Sequence, residues 1–237
     1  TDGSKSKNEG DLKIHDRDRP GSTGAISIDY EAIRQEGLAA DEAGFRFSLH
    51  AQGDAAISKV LDIYEQCRRD DKGKLQNRHC ITDLECSDLS DLQRMGALGA
   101  VAEIYPQIMS LYTREDKLAV IDEKLGPERR KYYLNRRAMA DCGVPIGCGT
   151  DLPLLYDDIP ESIYHACGAF FPEGGEPFHP ENTLSISELL RALTTGGAYA
   201  LYREKDPSLI PISEPTRLRR TSYAVFCLTN KIILKCI

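Results

Sequence analysis

Short strand-like runs alternate with helix-like segments along most of this chain, and that alternation limits its fold more than any other feature. Residues 45–50, 79–84, 100–104 and 144–148 read as strands. Helical spacing occupies 29–43, 53–69, 87–98, 115–125, 135–142, 159–167 and 187–195, with Ile57, Val60, Leu61 and Tyr64 marking one apolar face. Strands separated by helices are joined by right-handed crossovers into a parallel sheet. Four such strands suit a doubly wound α/β sheet or half of a (β/α)8 barrel. No repeat of fixed period is present.

Composition narrows the function. The 237 residues are 41% hydrophobic and 28% charged, enough for one large domain or two small ones. The net charge of −7 and the lack of a Lys/Arg stripe with interleaved aromatics argue against nucleic acid. No apolar run reaches the ~20 residues of a membrane span, and without a basic run followed by an apolar stretch in its first residues no secretory signal is expected. Eight scattered cysteines without a Cys-x-x-Cys pair read as reduced thiols. A cytoplasmic protein acting on a small molecule, without nucleic-acid or membrane partners, is expected.

Three regions follow. Residues 1–28 are polar and turn-rich and read as a leader or loop. Residues 29–206 carry the alternating elements. Residues 207–237 hold five Lys/Arg against one Asp/Glu, a net +4 beside −11 for the rest. That tail, from Pro207 through Arg217 and on to Leu228, resembles translated sequencing-adapter DNA and is read as non-native.

Polar groups at strand ends carry the chemistry. Period-two alternation puts Phe45, Phe47 and Leu49 on one face, and Arg46, Ser48 and His50 on the other. His50 then ends its strand where parallel α/β folds place ligands. On its own, His50 suits a structural role as well as ligation. Asp54, after Gly53, is suited to cap the next helix. His79, Ile81 and Asp83 share a face of the second strand, with Asp83 at its end. The third strand offers Tyr105 and Gln107. In the fourth, Gly147, Gly149 and Asp151 share a face and leave room beneath the carboxylate. An imidazole with carboxylates suits a divalent cation, zinc above others, whose bound water has a pKa of ~7. Asp151 beside it can carry a proton between water and leaving group. His15, His165 and His179 read as surface, packing and loop residues. Arg129, Arg130, Tyr132 and Tyr133 read better as a solvated helix face than as an anion site. Cys80, Cys142 and Cys148 read as small apolar groups.

Six blocks resemble amidohydrolase family 3, the YtcJ-like metal-dependent hydrolases. They are His50-Ala-Gln-Gly-Asp-Ala-Ala-Ile57, Arg78-His-Cys-Ile-Thr-Asp83, Leu98-Gly-Ala-Val-Ala-Glu-Ile-Tyr-Pro-Gln107, Leu125-Gly-Pro-Glu-Arg129, Gly147-Cys-Gly-Thr-Asp-Leu-Pro153 and Leu184-Ser-Ile-Ser-Glu-Leu-Leu-Arg-Ala-Leu-Thr194. They fall in the family's order between about Asp29 and Asp206. The resemblance implies a TIM-type barrel and hydrolysis of amide-type C–N bonds at a metal centre. It places His50 on the fifth-strand metal histidine. It places Asp151 on the eighth-strand aspartate that binds metal and shuttles the proton.

Two departures stand out. The sixth strand usually reads Ile-Glu-His, but here Ile81-Thr82-Asp83 puts a carboxylate where the histidine ligand belongs. His79, one pleat earlier, is the alternative ligand. The first-strand His-x-His pair and the fourth-strand lysine are absent, and Thr1-Asp2-Gly3-Ser4 resembles the segment after that lysine. The expected fold is therefore strands five to eight of the barrel, a fragment with exposed sheet edges that self-associates. The expected metal ligands are His50, Asp83, Asp151 and His79, with Tyr105 and Gln107 contacting substrate. A non-catalytic binding relative, and a metal-dependent isomerase or other hydrolase on the same barrel, are the alternatives. The tail assignment predicts that the source gene departs from this sequence after Asp206; an intact tail in genomic DNA would refute it.

Overall fold

The computed structural model describes residues 2, 9–14, 21–24, 28–106, 113–151 and 158–205. Four parallel strands form one sheet in the order β1 (Ser48–Ala51), β2 (Cys80–Asp83), β3 (Val101–Ile104), β4 (Ile146–Cys148). Each strand pairs with its sequence neighbour, with Ser48 opposite Cys80 and Cys80 opposite Val101. The helices are α1 (Tyr30–Glu42), α2 (Asp54–Tyr64), α3 (Leu89–Leu98), α4 (Arg114–Lys124), α5 (Arg136–Asp141), α6 (Ile159–Ala166), α7 (Ile186–Arg191) and α8 (Gly197–Ala200). The α/β alternation read from the sequence is thus present, with the elements trimmed at their ends. The first strand begins at Ser48 rather than 45, and α2 stops at Tyr64 rather than 69.

Local chemistry sets the helix limits. The Asp29 carboxylate accepts the Ala32 amide and starts α1, and Gly44 leaves it at φ +88°. Asp88 starts α3 the same way, accepting the Asp91 amide. Ser185 and Glu188 form a reciprocal capping box on α7.

The two faces of the sheet bury different things. Leu49, Ile81, Ala102 and Ile104 point toward the helices and join Ile57, Val60, Leu61, Leu92 and Met95 in the main core. On the other face, Ser48 Oγ accepts from the Cys80 thiol at 2.8 Å, and Arg46 pairs with Glu103 at 2.5 Å. There Cys80 and Val101 are covered by Ala200 and Tyr199. The Arg78 guanidinium stacks 3.9 Å from the Tyr199 ring and binds Glu204, which clamps the end of α8 across this face. Between α7 and α8 the chain makes one π-helical turn, Ala192–Gly196. That turn lies so close to β4 that a Cβ at Gly196 would stand 2.1 Å from the Ile146 carbonyl oxygen. A second cluster, with Leu12, Cys86, Ile121, Tyr133, Phe171 and Phe178, is built from segments beyond the strand ends.

Several described residues among the first 28 pack inside the protein. Asp2, Asp11 and Leu12 are buried. The Asp11 carbonyl accepts the amides of Ala55 and Ala56, which satisfies donors that the first turn of α2 cannot use internally. This replaces the expected Asp54 cap: Gly53 is the N-cap, and Asp54 accepts from the Lys13 amide and the Arg129 guanidinium instead. Lys13 also binds Asp88 and Asp91, both at 2.6 Å. Arg129 and Tyr133 are correspondingly buried, not on a solvated face. The close approach requires glycine at 53, because a Cβ there would lie 2.0 Å from the Asp11 carbonyl oxygen. Gly53→Ala is expected to destabilise the fold by roughly 1–3 kcal/mol, the usual cost of overpacking. Urea denaturation reads this as a lower midpoint, and an unchanged midpoint would refute the contact.

Candidate metal centre at the strand ends

Parallel pairing brings His50, Asp83, Tyr105 and Asp151 to one rim, each at or just beyond the C-terminal end of its strand. Side-chain alternation accounts for three of them. His50, Tyr105 and Asp151 share parity with Ser48, Glu103 and Gly147, the face opposite the helices. Asp83 does not: it shares parity with Ile81, which is fully buried under the helices. Its side chain reaches the mouth because the backbone turns over at that point. Asp83 has φ +75° and Leu84 φ +51°, the left-handed region that side-chain-bearing residues adopt at a cost of about 1–2 kcal/mol each. Asp151 is held the same way at φ +52°.

The result is a close pair. His50 Nε2 lies 3.3 Å from Asp83 Oδ2, and His50 Nδ1 lies 3.4 Å from Asp2 Oδ1. Asp2 is the residue that the sequence did not single out. Its side chain is wholly buried and accepts the amides of Asp11, Gln52 and Gly53. The hydrogen bond to Asp2 raises the His50 pKa, against the opposing effect of burial, and the charges of Asp83 and Asp2 add to it. Burial raises that of Asp83, while the His50 charge and hydrogen bonds from Gln52 and Thr82 pull the other way.

Tyr105 lies within electrostatic reach of both Asp83 and Asp151. Burial pushes its phenol up, and the negative charges of Asp83 and Asp151 both add to the shift. Its carbonyl is fixed at 2.7 Å by the buried Arg136 guanidinium. Beneath it lies a cavity of ≈ 180 Å³ lined by Glu103, Tyr105, Gly147, Gly149 and Ala200, the room expected from the small residues of β4. Gln107, His15 and Leu152-Pro153 lie outside the described residues.

His79 does not join the rim. It precedes β2 at the opposite end of the sheet, fully buried, 4.0 Å from the Phe47 ring centroid and 5.4 Å from that of Tyr64. Its parity with Ile81 turns it toward the helices. His50, Asp83 and Asp151 do not bring three ligand atoms within 4.8 Å of one another; among the described residues the trio that does is Asp41, Cys67 and His79. That trio is closed by hydrogen bonds. The Phe47 amide donates to His79 Nδ1, which leaves the proton on Nε2 facing Asp41 at 2.8 Å. Asp41 further accepts from the Arg68 amide and guanidinium and from Asn77. Both Asp41 oxygens and both His79 ring nitrogens are thus engaged. Cys67 is a neutral thiol, pushed up by burial to about 12. The cluster instead pins the end of α1 to the start of β2. Elsewhere His165 packs inside, against the Phe170 carbonyl, and His179 sits in a loop beside Glu181.

A four-stranded parallel sheet with a polar cluster at its carboxyl rim suits a segment of a TIM-type (β/α)8 barrel. The chain matches the amidohydrolase family over residues 13–208, and it belongs to that family. It is 27% identical over 187 residues to Protein LONG AFTER FAR-RED 3 of Arabidopsis thaliana, covering 78% of this chain and 31% of that protein. It is 24% identical over 196 residues to the putative amidohydrolase YtcJ of Bacillus subtilis (strain 168), covering 82% and 35%. N-substituted formamide deformylase of Arthrobacter pascens is 25% identical over 217 residues, covering 87% and 36%. The chain thus spans about a third of the length of the curated relatives it matches. An uncharacterized metal-dependent hydrolase from Pyrococcus furiosus has the same fold, with a TM-score of 0.70 and 22% identity over 86% of this chain and 39% of that one. Its counterpart from Pyrococcus horikoshii OT3 gives 0.71, again at 22% identity with 86% and 39% covered. Among the described residues no helix is long and apolar enough to cross a membrane.

The buried His79 makes a pH prediction. Burial lowers its imidazole pKa below 6.5, outweighing the Asp41 carboxylate, with Arg46 and Arg68 adding to the depression. The unfolded chain therefore takes up a proton more readily. The stability from His79 is complete above about pH 6.5 and is lost as pH falls toward the folded value. Between about pH 7.5 and pH 5, the denaturation midpoint of the wild type should fall more steeply than that of His79→Gln. Parallel curves would contradict this.

Proposed function

We propose that this chain supplies part of the active site of a metal-dependent hydrolase acting on non-peptide C–N bonds, and that its sheet corresponds to strands five to eight of the family barrel. The observation that carries the reading is the separation of His50 Nε2 and Asp83 Oδ2, 3.3 Å. Two ligands on one tetrahedral ion with bonds of about 2.1 Å stand roughly 3.4 Å apart. The His50–Asp83 spacing therefore fits a divalent cation such as zinc; Asp151 stands on the same rim, but the three do not bring their ligand atoms within 4.8 Å of one another in this structure, so its part is that of a proton carrier beside the ion. A carboxylate in place of a second imidazole makes the set harder and more anionic.

A cation bound there would supply Lewis acidity toward water and the scissile carbonyl. The remaining steps belong to the chain. Asp151 takes a proton from the attacking water and delivers it to the leaving nitrogen. Tyr105, its phenol kept protonated by burial and by two neighbouring carboxylates, donates a hydrogen bond to the substrate. The cavity beneath the rim admits a small group. The deformylase relative makes N-substituted formamides the first substrates to try, within a class of small amides and carbamates.

Two measurements test this. Titration of the chelator-treated protein with Co²⁺ should give tight binding, and His50→Ala or Asp83→Asn should each weaken it by more than about tenfold, since even outer-shell partners cost that much. Affinity unchanged in both variants would overturn the site. In an amine-release assay on N-substituted formamides, Asp151→Asn should lower kcat by about 10²–10⁴-fold. Full activity in that variant would remove Asp151 from its role.

A further inference from the structure

We infer that Asp2 is a positioning residue for His50: it holds the Nδ1 proton, so that Nε2 is the nitrogen presented to Asp83 and to the cation. This rests on the metal-centre reading above and adds to it a residue far from the other site groups in the sequence.

The geometry supports a dedicated role. One Asp2 oxygen, Oδ1, accepts the Gln52 amide at 2.9 Å and lies 3.4 Å from His50 Nδ1. The other, Oδ2, accepts the Gly53 amide at 2.8 Å and the Asp11 amide at 3.0 Å. Three backbone donors fix this carboxylate in place, and its side chain has no solvent exposure. It cannot rotate away. A neutral imidazole has one proton to place between two carboxylates. Asp83 remains 11% exposed and sits on a turned-over backbone, so it is the more yielding of the two. A ligating histidine commonly donates its second N–H to a carboxylate, which fixes tautomer and ring orientation. The two amides that Asp2 binds on the β1–α2 turn directly follow β1, so the same contact sets the ring and the backbone carrying it.

Long-range ¹H–¹⁵N correlation spectra of the metal-free protein, recorded above the His50 titration, read the tautomer directly. The expected result is Nδ1–H with bare Nε2 in the wild type and in Asp83→Asn. In Asp2→Asn the Nε2–H form should gain population, and Co²⁺ affinity should fall roughly 10–100-fold. Nε2–H in the wild type would overturn the inference. So would a tautomer unmoved in Asp2→Asn while the Gln52 and Gly53 amides shift, because Asp2 would then only tie the turn. If Asp2→Asn does not fold, the wild type and Asp83→Asn spectra decide alone: a switch to Nε2–H in either refutes it. The tautomer is read without metal, so a failure of the metal reading leaves this result interpretable.

Discussion

Parallel pairing is the constraint from which the rest follows. When every strand runs the same way, every strand also ends on the same rim. Residues 50, 83, 105 and 151 become neighbours without any direct link between them in the sequence. The ladder puts groups at the rim but does not finish the site. Asp83 has the wrong parity and is brought round by positive φ angles at residues 83 and 84. Strain of this kind persists only where surrounding packing holds it. Leu84, buried and hydrogen-bonded by its amide to the Ala51 carbonyl, provides that hold.

The second organising contact is the seat of the N-terminal segment on α2. A helix that starts with glycine and no side-chain cap leaves its first amides unsatisfied. Here the Asp11 carbonyl and the Asp2 carboxylate take them. The same carboxylate reaches His50. Helix capping and site geometry are thus one network, tied further by Lys13 to the first turn of α3.

Most elements were legible in the sequence because their signals are local. Apolar periodicity, such as Ile57, Val60, Leu61 and Tyr64 on one face of α2, does not depend on tertiary context. The rim positions of His50, Tyr105 and Asp151 were legible too, since period-two alternation and parallel order suffice. Three things were not. The strand-end position of Asp83 was read, but not the backbone reversal that turns its side chain away from the face it shares by parity with the buried His79. Asp54 looks like a cap, but the better acceptor comes from residue 11, some forty positions away. Asp2 lies in a polar stretch with no periodicity, and nothing local marks a carboxylate destined for burial. In each case the deciding partner is distant in sequence, where composition and spacing carry no information.

The seam between the π-helical turn and β4 has an evolutionary side. Gly196 meets the Ile146 carbonyl oxygen with main chain against main chain, so no side chain mediates the contact. Any lineage that keeps this seam must leave position 196 bare. Compensating changes in neighbouring side chains cannot open the space.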